Sequence, residues 1–176
     1  AGYNSGTIEA SVARGKVAGG HYGYSGGLVG YNTGTLGTVN ASGNVTAGQG
    51  SAVGGLVGAN QGLIVSAMAN GNVYGGANSR AGGVVGENGD MGEVRQSSSS
   101  GEVGGASRAL LGGIAGLNQG EISYSSASGK VNFVNSLQHT YGGLAGANYG
   151  VLRANSTLGL ASLVPPVGLN YGIVER

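Results

Sequence analysis

A nine-residue segment recurs along the chain. It reads GGLVGYNTG at residues 26–34, GGLVGANQG at 54–62, GGIAGLNQG at 112–120 and GGLAGANYG at 142–150. Double glycines stand at 26–27, 54–55, 82–83, 112–113 and 142–143, so their spacings are 28, 28, 30 and 30 residues. Self-similarity at a fixed period of about 20–50 residues is typical of repeat architectures, in which each unit is buried by its neighbours.

A second landmark, Gly-x-Asn, keeps the same period. The sequence predicts one domain over 1–176, with repeats that start near residues 2, 30, 58, 86, 116 and 146 and an irregular short last repeat over 160–176. Two extra residues in ENGDMG and two extra residues before Gly142 account for the longer spacings. Insertions that leave the other landmarks in register are typical of loops on a repeating scaffold.

Equivalent positions of the repeats carry mostly branched apolar side chains, which favour strands. Two such columns read Ile8, Leu36, Ile64, Val94, Ile122, Leu152 and Val17, Val45, Val73, Val103, Val131. No run of ten residues has a helical period. The sequence predicts an all-β fold, a right-handed β-solenoid (β-helix) of 28–30 residues per coil, about six to seven coils and about three short strands per coil. We expect the eight variable residues before each double glycine to bulge outward.

The recurring asparagines predict a hydrogen-bonded ladder along the solenoid axis, because stacked amides pair from coil to coil. Asparagine also tolerates the left-handed turn conformation. The ladder consists of Asn4, Asn32, Asn60, Asn88, Asn118, Asn148 and Asn170. The recurring glycines predict corners that need a positive φ or a close backbone approach.

Composition argues against most chemistry. The net charge is +1 with eight scattered Lys and Arg residues, which does not favour nucleic-acid binding. There is no cysteine, and Asp90 is the single aspartate, whereas calcium-binding solenoids need a recurring one. His21 and His139 have no acidic partner at metal-ligand spacing. The sequence contains no stretch of about 18 apolar residues, the length that a membrane-spanning helix needs. We expect no metal, no cofactor and no enzyme activity.

Tyrosines are the first candidates for ligand contact. Tyr3 and Tyr31 share one column, and Tyr149 and Tyr171 share another, so their rings are predicted to stack. Exposed tyrosine rows bind sugar rings, and the rows also serve to stabilise a ladder. The loop tyrosines offer the same contact: Tyr22, Tyr24, Tyr74 and Tyr141.

Charged residues are the second candidates. Seven of the fifteen charges fall within 29 residues: Arg80, Glu87, Asp90, Glu93, Arg95, Glu102 and Arg108. This concentration predicts a solvated ion-pair network on one side of the rod. A ligand or partner contact, at Arg80, Glu87, Asp90, Glu93 and Arg95, and a carbohydrate-cleaving site are the alternatives.

The pattern of GGLVGYNTG and GGLVGANQG, followed by Ile or Leu, then Ser and Ala, then Gly-x-Val, resembles the GLUG-motif repeats of filamentous-haemagglutinin-like exported bacterial surface proteins and adhesins. The resemblance runs from Gly2 to about residue 176. It implies export, an extracellular or cell-surface location, and a stalk or adhesive role. It brings no catalytic residues.

We therefore expect a non-enzymatic structural or adhesive solenoid, either a stalk segment or a self-associating fibre subunit. The alternative is a carbohydrate-binding or, less favoured, a carbohydrate-cleaving β-helix. Neither end of the sequence offers a helix or a charged cap, and Pro165–Pro166 breaks the strand pattern. Open coils leave unpaired strand edges. The partners implied are further repeats or a second copy, joined end to end, and a polysaccharide or host surface.

Overall fold

The solenoid coils stack with equivalent residues in register. The computed structural model describes residues 1–133 and 139–175, and within them all strand pairs are parallel. Val17 pairs with Val45, and Val103 pairs with Val131. Parallel pairing between equivalent residues places one branched side chain above the next. The predicted all-β solenoid is confirmed, whereas its right-handed sense stays a prediction.

Two sheets run the full length of the described rod. Sheet I contains Tyr3–Asn4, Val29–Asn32, Val57–Asn60, Val85–Asn88, Ala115–Asn118, Ala145–Asn148 and Val167–Asn170. Sheet II contains Thr7–Glu9, Thr35–Gly37, Leu63–Val65, Glu93–Arg95, Glu121–Ser123, Val151–Arg153 and Ile173–Glu175. The asparagine column ends each sheet I strand, so the ladder marks the corner between sheets I and II.

Three further sheets are shorter. Sheet III contains Val12–Ala13, Asn40–Ala41, Met68–Ala69, Ser98–Ser99, Ser126–Ala127 and Ser156–Thr157. Sheet IV contains Val17–Ala18, Val45–Ala47, Val73–Gly75, Val103–Gly105 and Val131–Phe133. Sheet V contains Tyr24–Gly26, Ala52–Gly54, Arg80–Gly82, Leu110–Gly112 and Thr140–Gly142. A 3₁₀ helix, Gly159–Leu163, follows the last strand of sheet III.

The coil geometry differs from the sequence prediction in two ways. A complete coil has five strands rather than three, and the described residues form five complete coils with two partial ones, not six to seven full coils. The eight residues before each double glycine do not all bulge outward. Val53 and Ala81 from these segments are fully buried in sheet V. The variable segments contain a turn between two real strands, and their small residues hid the strand signal.

The interior is divided into two cores. Sheets I, II and III enclose the first core, which includes Leu36 and Ile64 together with Leu56 from the connection between sheets V and I. Sheets IV and V enclose the second core, which includes Val73 and Leu111. We call these the first lobe and the second lobe. Branched aliphatic side chains fill both, as the apolar columns predicted.

The double glycine forms the boundary between the lobes. A Cβ on Gly55 would lie 2.2 Å from the carbonyl oxygen of Gly83 and 3.2 Å from the Cβ of Ala69. A Cβ on Gly54 would lie 1.9 Å from the Val57 carbonyl oxygen. Close backbone approach therefore explains this glycine pair.

Positive φ angles occur elsewhere than predicted. Among the described glycines only Gly50 and Gly159 have a positive φ, and the ladder asparagines have none. Apart from Gly159, the left-handed positions form two other columns. These are Ala10, Thr38, Ser66, Gln96, Tyr124, Ala154 and Tyr22, Gly50, Asn78, Arg108. The prediction of left-handed corners was wrong for the double glycines and the ladder asparagines, because stacking of the flanking strands holds mostly ordinary residues in this conformation.

The last repeat closes the second lobe. Its residues 159–166, which we call the lid, replace the strands of sheets IV and V. The Gly143 amide donates to the Pro165 carbonyl at 2.7 Å, and Val164 packs against the second core. Ala161 is fully buried in the first core. The lid contains the short 3₁₀ helix, and the diproline follows it before the next strand of sheet I begins.

Candidate functional site

The asparagine ladder is continuous through the described coils. Each side-chain Nδ2 donates to the Oδ1 of the next asparagine, at 2.8 to 2.9 Å, from Asn4 through to Asn170. Five of the seven asparagines have no exposed surface. All six bonds point the same way, so the amide dipoles add along the axis. Buried amides that are this fully paired rigidify a core.

The second hydrogen of each ladder amide fixes its orientation. It points to a glycine carbonyl in the following turn, at 2.9 Å in Asn60 and at 3.0 Å in Asn88. In Asn88 the acceptor is Gly92, four residues on, because the insertion adds two residues to that turn. The loop therefore lengthens while the ladder contact survives.

A shorter polar ladder was missed by the sequence reasoning. The Ala67 amide donates to Ser97 Oγ at 3.2 Å, and the Ser97 amide donates to Ser125 Oγ at 3.1 Å. The Ser125 amide then donates to Asn155 Oδ1 at 2.8 Å. These residues share one column of the repeats. Along this column the side chains change from apolar to polar, and that change could have predicted the ladder from the sequence. The ladder supplies acceptors for backbone amides between sheets II and III.

Three tyrosines cluster where the outer faces of sheets I and V meet. The rings of Tyr3 and Tyr31 stack with centroids 6.0 Å apart and an interplanar angle of 8°. Tyr24, from sheet V, lies 5.2 Å from Tyr31 at 51°. The Tyr3 hydroxyl lies 3.0 Å from Thr33 Oγ1. Tyr3 and Tyr31 thus stack face to face and Tyr24 meets Tyr31 at a tilt, which is the geometry of an aromatic cluster, although Tyr3 and Tyr24 stay more than half exposed.

The second tyrosine pair lies on the corner between sheets I and II. Tyr149 and Tyr171 stack with centroids 4.9 Å apart and an interplanar angle of 19°. Both side chains are more than half exposed. This pair is separated along the axis from the Tyr3–Tyr31 pair by the coils of Ala59, Glu87 and Leu117, so the two pairs do not form one aromatic row.

The concentration of charges in the sequence is spread over different faces. Arg80 and Glu87 pair at 2.9 Å across sheets V and I. Arg95 and Glu93 pair at 2.5 Å on sheet II. Asp90 is exposed in the inserted turn. The solenoid wraps these residues around the coil, so the predicted network on one side is wrong in its geometry.

Another group lies on the outer face of sheet IV, around Tyr74. It lines a cavity of about 150 Å³ with Asn44, Val45, Thr46, Asn72, Val73, Tyr74 and Glu102. Tyr74 belongs to the strand Val73–Gly75 and not to a loop as predicted. The polar partners from neighbouring coils were missed, and alignment of the columns would have brought them together.

Metal-ligand clusters and membrane-spanning helices were looked for in the part of the chain that the structure describes. Over residues 1–133 and 139–175 no group of three or more His, Asp or Glu side chains is arranged to hold a metal ion. Within the same residues no helix is long and apolar enough to cross a bilayer.

The comparison with protein families gives one result. A model of the GLUG motif matches residues 77–104 and 107–132. These two segments are GLUG repeats. Each begins in the turn before a sheet V strand and passes once through sheets V, I, II, III and IV, so each matched segment is one coil of the solenoid. The resemblance seen in the sequence is confirmed there, whereas its adhesin context stays a prediction. No curated protein and no solved structure matched the chain.

Proposed function

We propose that this protein is an extracellular structural element, a stiff solenoid that serves as a stalk segment in bacterial surface adhesion. The observation that carries the proposal is the uninterrupted asparagine ladder, which runs through the coils in one direction. A ladder of this kind resists bending and shear because each coil is hydrogen-bonded to the next along a buried line. The GLUG repeats agree with such a repeat-built role.

An enzymatic role receives less support. Carbohydrate cleavage needs two carboxylates that flank one bond. Glu87 lies on sheet I and is paired with Arg80, and Glu93 lies on sheet II and is paired with Arg95. Glu87 and Glu93 therefore occupy different faces, and although Glu121 stands beside Glu93 on sheet II, Glu93 is held by its ion pair with Arg95. We propose a non-enzymatic protein.

Surface labelling of the producing cells tests the location. An antibody raised against the purified chain is expected to label intact cells, and external protease is expected to remove the signal. The control is a cytoplasmic protein of the same cells, which must be labelled only after permeabilisation. Labelling of the solenoid only after permeabilisation would contradict the proposal.

We also propose that the rod is continued along its axis, by further repeats of the same polypeptide or by a second copy. The strands Val167–Asn170 and Ile173–Glu175 each pair with one neighbouring strand in the structure, and Leu169 and Ile173 are 43% and 55% exposed. Unpaired strand edges next to exposed apolar side chains favour strand addition.

Light scattering across a concentration series tests this second proposal. The purified chain is expected to grow in mass with concentration, and electron microscopy is expected to show fibres of uniform width. Lysine on an edge strand blocks pairing. The Leu169→Lys, Ile173→Lys double variant is therefore expected to stay monomeric with unchanged circular dichroism. A wild-type chain that stays monomeric would contradict association of copies.

A further inference from the structure

We propose that the outer face of sheet IV binds one ring of a neutral polysaccharide at Tyr74. Tyr74 differs from the stacked tyrosines because no other ring covers it within the described residues. Its side chain is 45% exposed. The site is distinct from the tyrosine pairs and shares only Glu102 with the charged residues that the sequence pointed to, and it does not depend on the rod being a stalk.

Gly104 on the next coil positions the ring. A Cβ on Gly104 would lie 3.3 Å from Cδ2 and 3.7 Å from Cε2 of Tyr74, so the ring lies against this glycine. The ring also borders the cavity, whose lining includes Thr46 from the preceding coil. The ring is thus supported by the backbone of the next coil and remains partly exposed beside the cavity. A supported aromatic face is suited to stacking against the apolar C–H face of a sugar ring.

The polar groups around the ring are arranged by the backbone. Asn44 Oδ1 accepts from the Asn72 amide at 3.0 Å, and Asn72 Oδ1 accepts from the Glu102 amide at 2.9 Å. With both oxygens engaged, the amide orientation is fixed and each Nδ2 group is left as a donor. Glu102 Oε1 accepts from Asn132 Nδ2 at 2.7 Å, which holds the carboxylate.

This set of groups matches the hydrogen bonding of a sugar. A hydroxyl both donates and accepts, whereas an amide NH₂ only donates and an ionised carboxylate only accepts. Neighbouring hydroxyls can accept from Asn44 or Asn72 and donate to Glu102. The lining contains one charged group, the Glu102 carboxylate, which disfavours acidic sugars by like-charge repulsion.

The size of the cavity indicates a chain rather than an enclosed molecule. Its volume of about 150 Å³ has room for one sugar ring. Sites that enclose a small ligand usually measure about 300–1,000 Å³. The ligand would therefore place one ring in the cavity while the rest of the polymer lies on the surface of the rod.

Titration of the full chain with defined oligosaccharides tests the proposal. The probes are cellohexaose and chitohexaose, which are neutral, and hexagalacturonate, which is acidic. We expect at least one neutral probe to shift the amide resonances of residues 44–46, 72–74 and 102, and hexagalacturonate to shift none. Tyr74→Ala is expected to weaken binding at least tenfold, and Tyr74→Phe is expected to retain it.

Two further variants separate the site from the rest of the surface. Tyr124→Ala removes a tyrosine that is 64% exposed on another face and should leave binding unchanged. Glu102→Gln should relax the discrimination against hexagalacturonate. The proposal is overturned if no neutral probe binds at millimolar concentration, if Tyr74→Ala binds like the wild type, or if the shifts map to Tyr3 and Tyr31 instead. Thermal melts of each variant confirm that the fold is intact.

Discussion

Asn60→Ala is expected to lower the free energy of unfolding by about 3–5 kcal/mol, because several buried polar groups lose their partners at about 1–3 kcal/mol each. Asn60 is fully buried in the middle of the ladder. In the wild type, Asn32 Nδ2 donates to Asn60 Oδ1 at 2.8 Å, and Asn60 Nδ2 donates to Asn88 Oδ1 at 2.9 Å. The substitution removes both bonds. It also takes the donor from the Gly62 carbonyl.

Urea unfolding followed by far-ultraviolet circular dichroism measures this loss. The matched control is Asn70→Ala, at an exposed asparagine whose Oδ1 accepts from Ser100 Oγ at 3.0 Å. Because solvent replaces that bond, the control should lose about 0.5 kcal/mol or less. Equal losses in the two variants would mean that the ladder contributes no special stability, and the argument for a stiff axis would fail.

Gly55→Ala is expected to cost about 3 kcal/mol or more, because an extra methyl group in a tightly packed place forces the backbone to move. The new Cβ would lie 2.2 Å from the Gly83 carbonyl oxygen of the next coil. The methyl group and the carbonyl oxygen are both fixed to the backbone and cannot rotate away, so the clash can be relieved only if the two coils separate. Separation would weaken the strand pairs of sheets V and I on both sides.

Gly15→Ala is the control for this prediction. A Cβ on Gly15 meets no heavy atom within 4 Å. This variant should unfold within about 0.5 kcal/mol of the wild type. Limited proteolysis offers a second readout, since separated coils should be cut near residue 55 in the Gly55→Ala variant alone. A Gly55→Ala protein as stable as the wild type would contradict the close approach of the coils.

The register of the solenoid was predictable from the sequence, whereas the path of each coil was not. The double glycines and the Gly-x-Asn segments allow only one alignment of the repeats, which places Val17, Val45 and Val73 in one column. The structure pairs these same residues. The strands of sheet V were missed because residues such as Ser25 and Ala52 carry no strand signal of their own. Their pairing comes from stacking, which is a tertiary effect.

The left-handed positions were missed for a related reason. Thr38 and Ser66 adopt φ angles of 50° and 53°, although neither residue type favours this conformation. The sequence signal for a left-handed corner is glycine or asparagine, and here those residues serve close packing and the amide ladder. The coil geometry is imposed by many strand pairs and outweighs the local preference of single residues.

The candidate site was predictable in part. Stacking within each tyrosine pair follows from shared columns, and the structure shows both stacks. The grouping around Tyr74 depends on which residues stand above and below it, including the absence of a side chain at Gly104. The charged residues lie close together in the sequence, which predicted one network on one side of the rod. They lie on different faces instead, because the chain turns a corner of the coil every few residues.

The division of the interior into two lobes has a consequence for how such a chain can change. The contact of the double glycine with the Ala69 column insulates one lobe from the other. In the second lobe, the sequence between Val131–Phe133 and Thr140–Gly142 is two residues longer than the sequence between Val103–Gly105 and Leu110–Gly112, and in the last repeat the lid replaces the strands of sheets IV and V. The ladder in the first lobe continues past both changes. The chain thus combines a first lobe whose ladder keeps the period with a second lobe whose length and strands vary from coil to coil, so different surface chemistry fits on one scaffold.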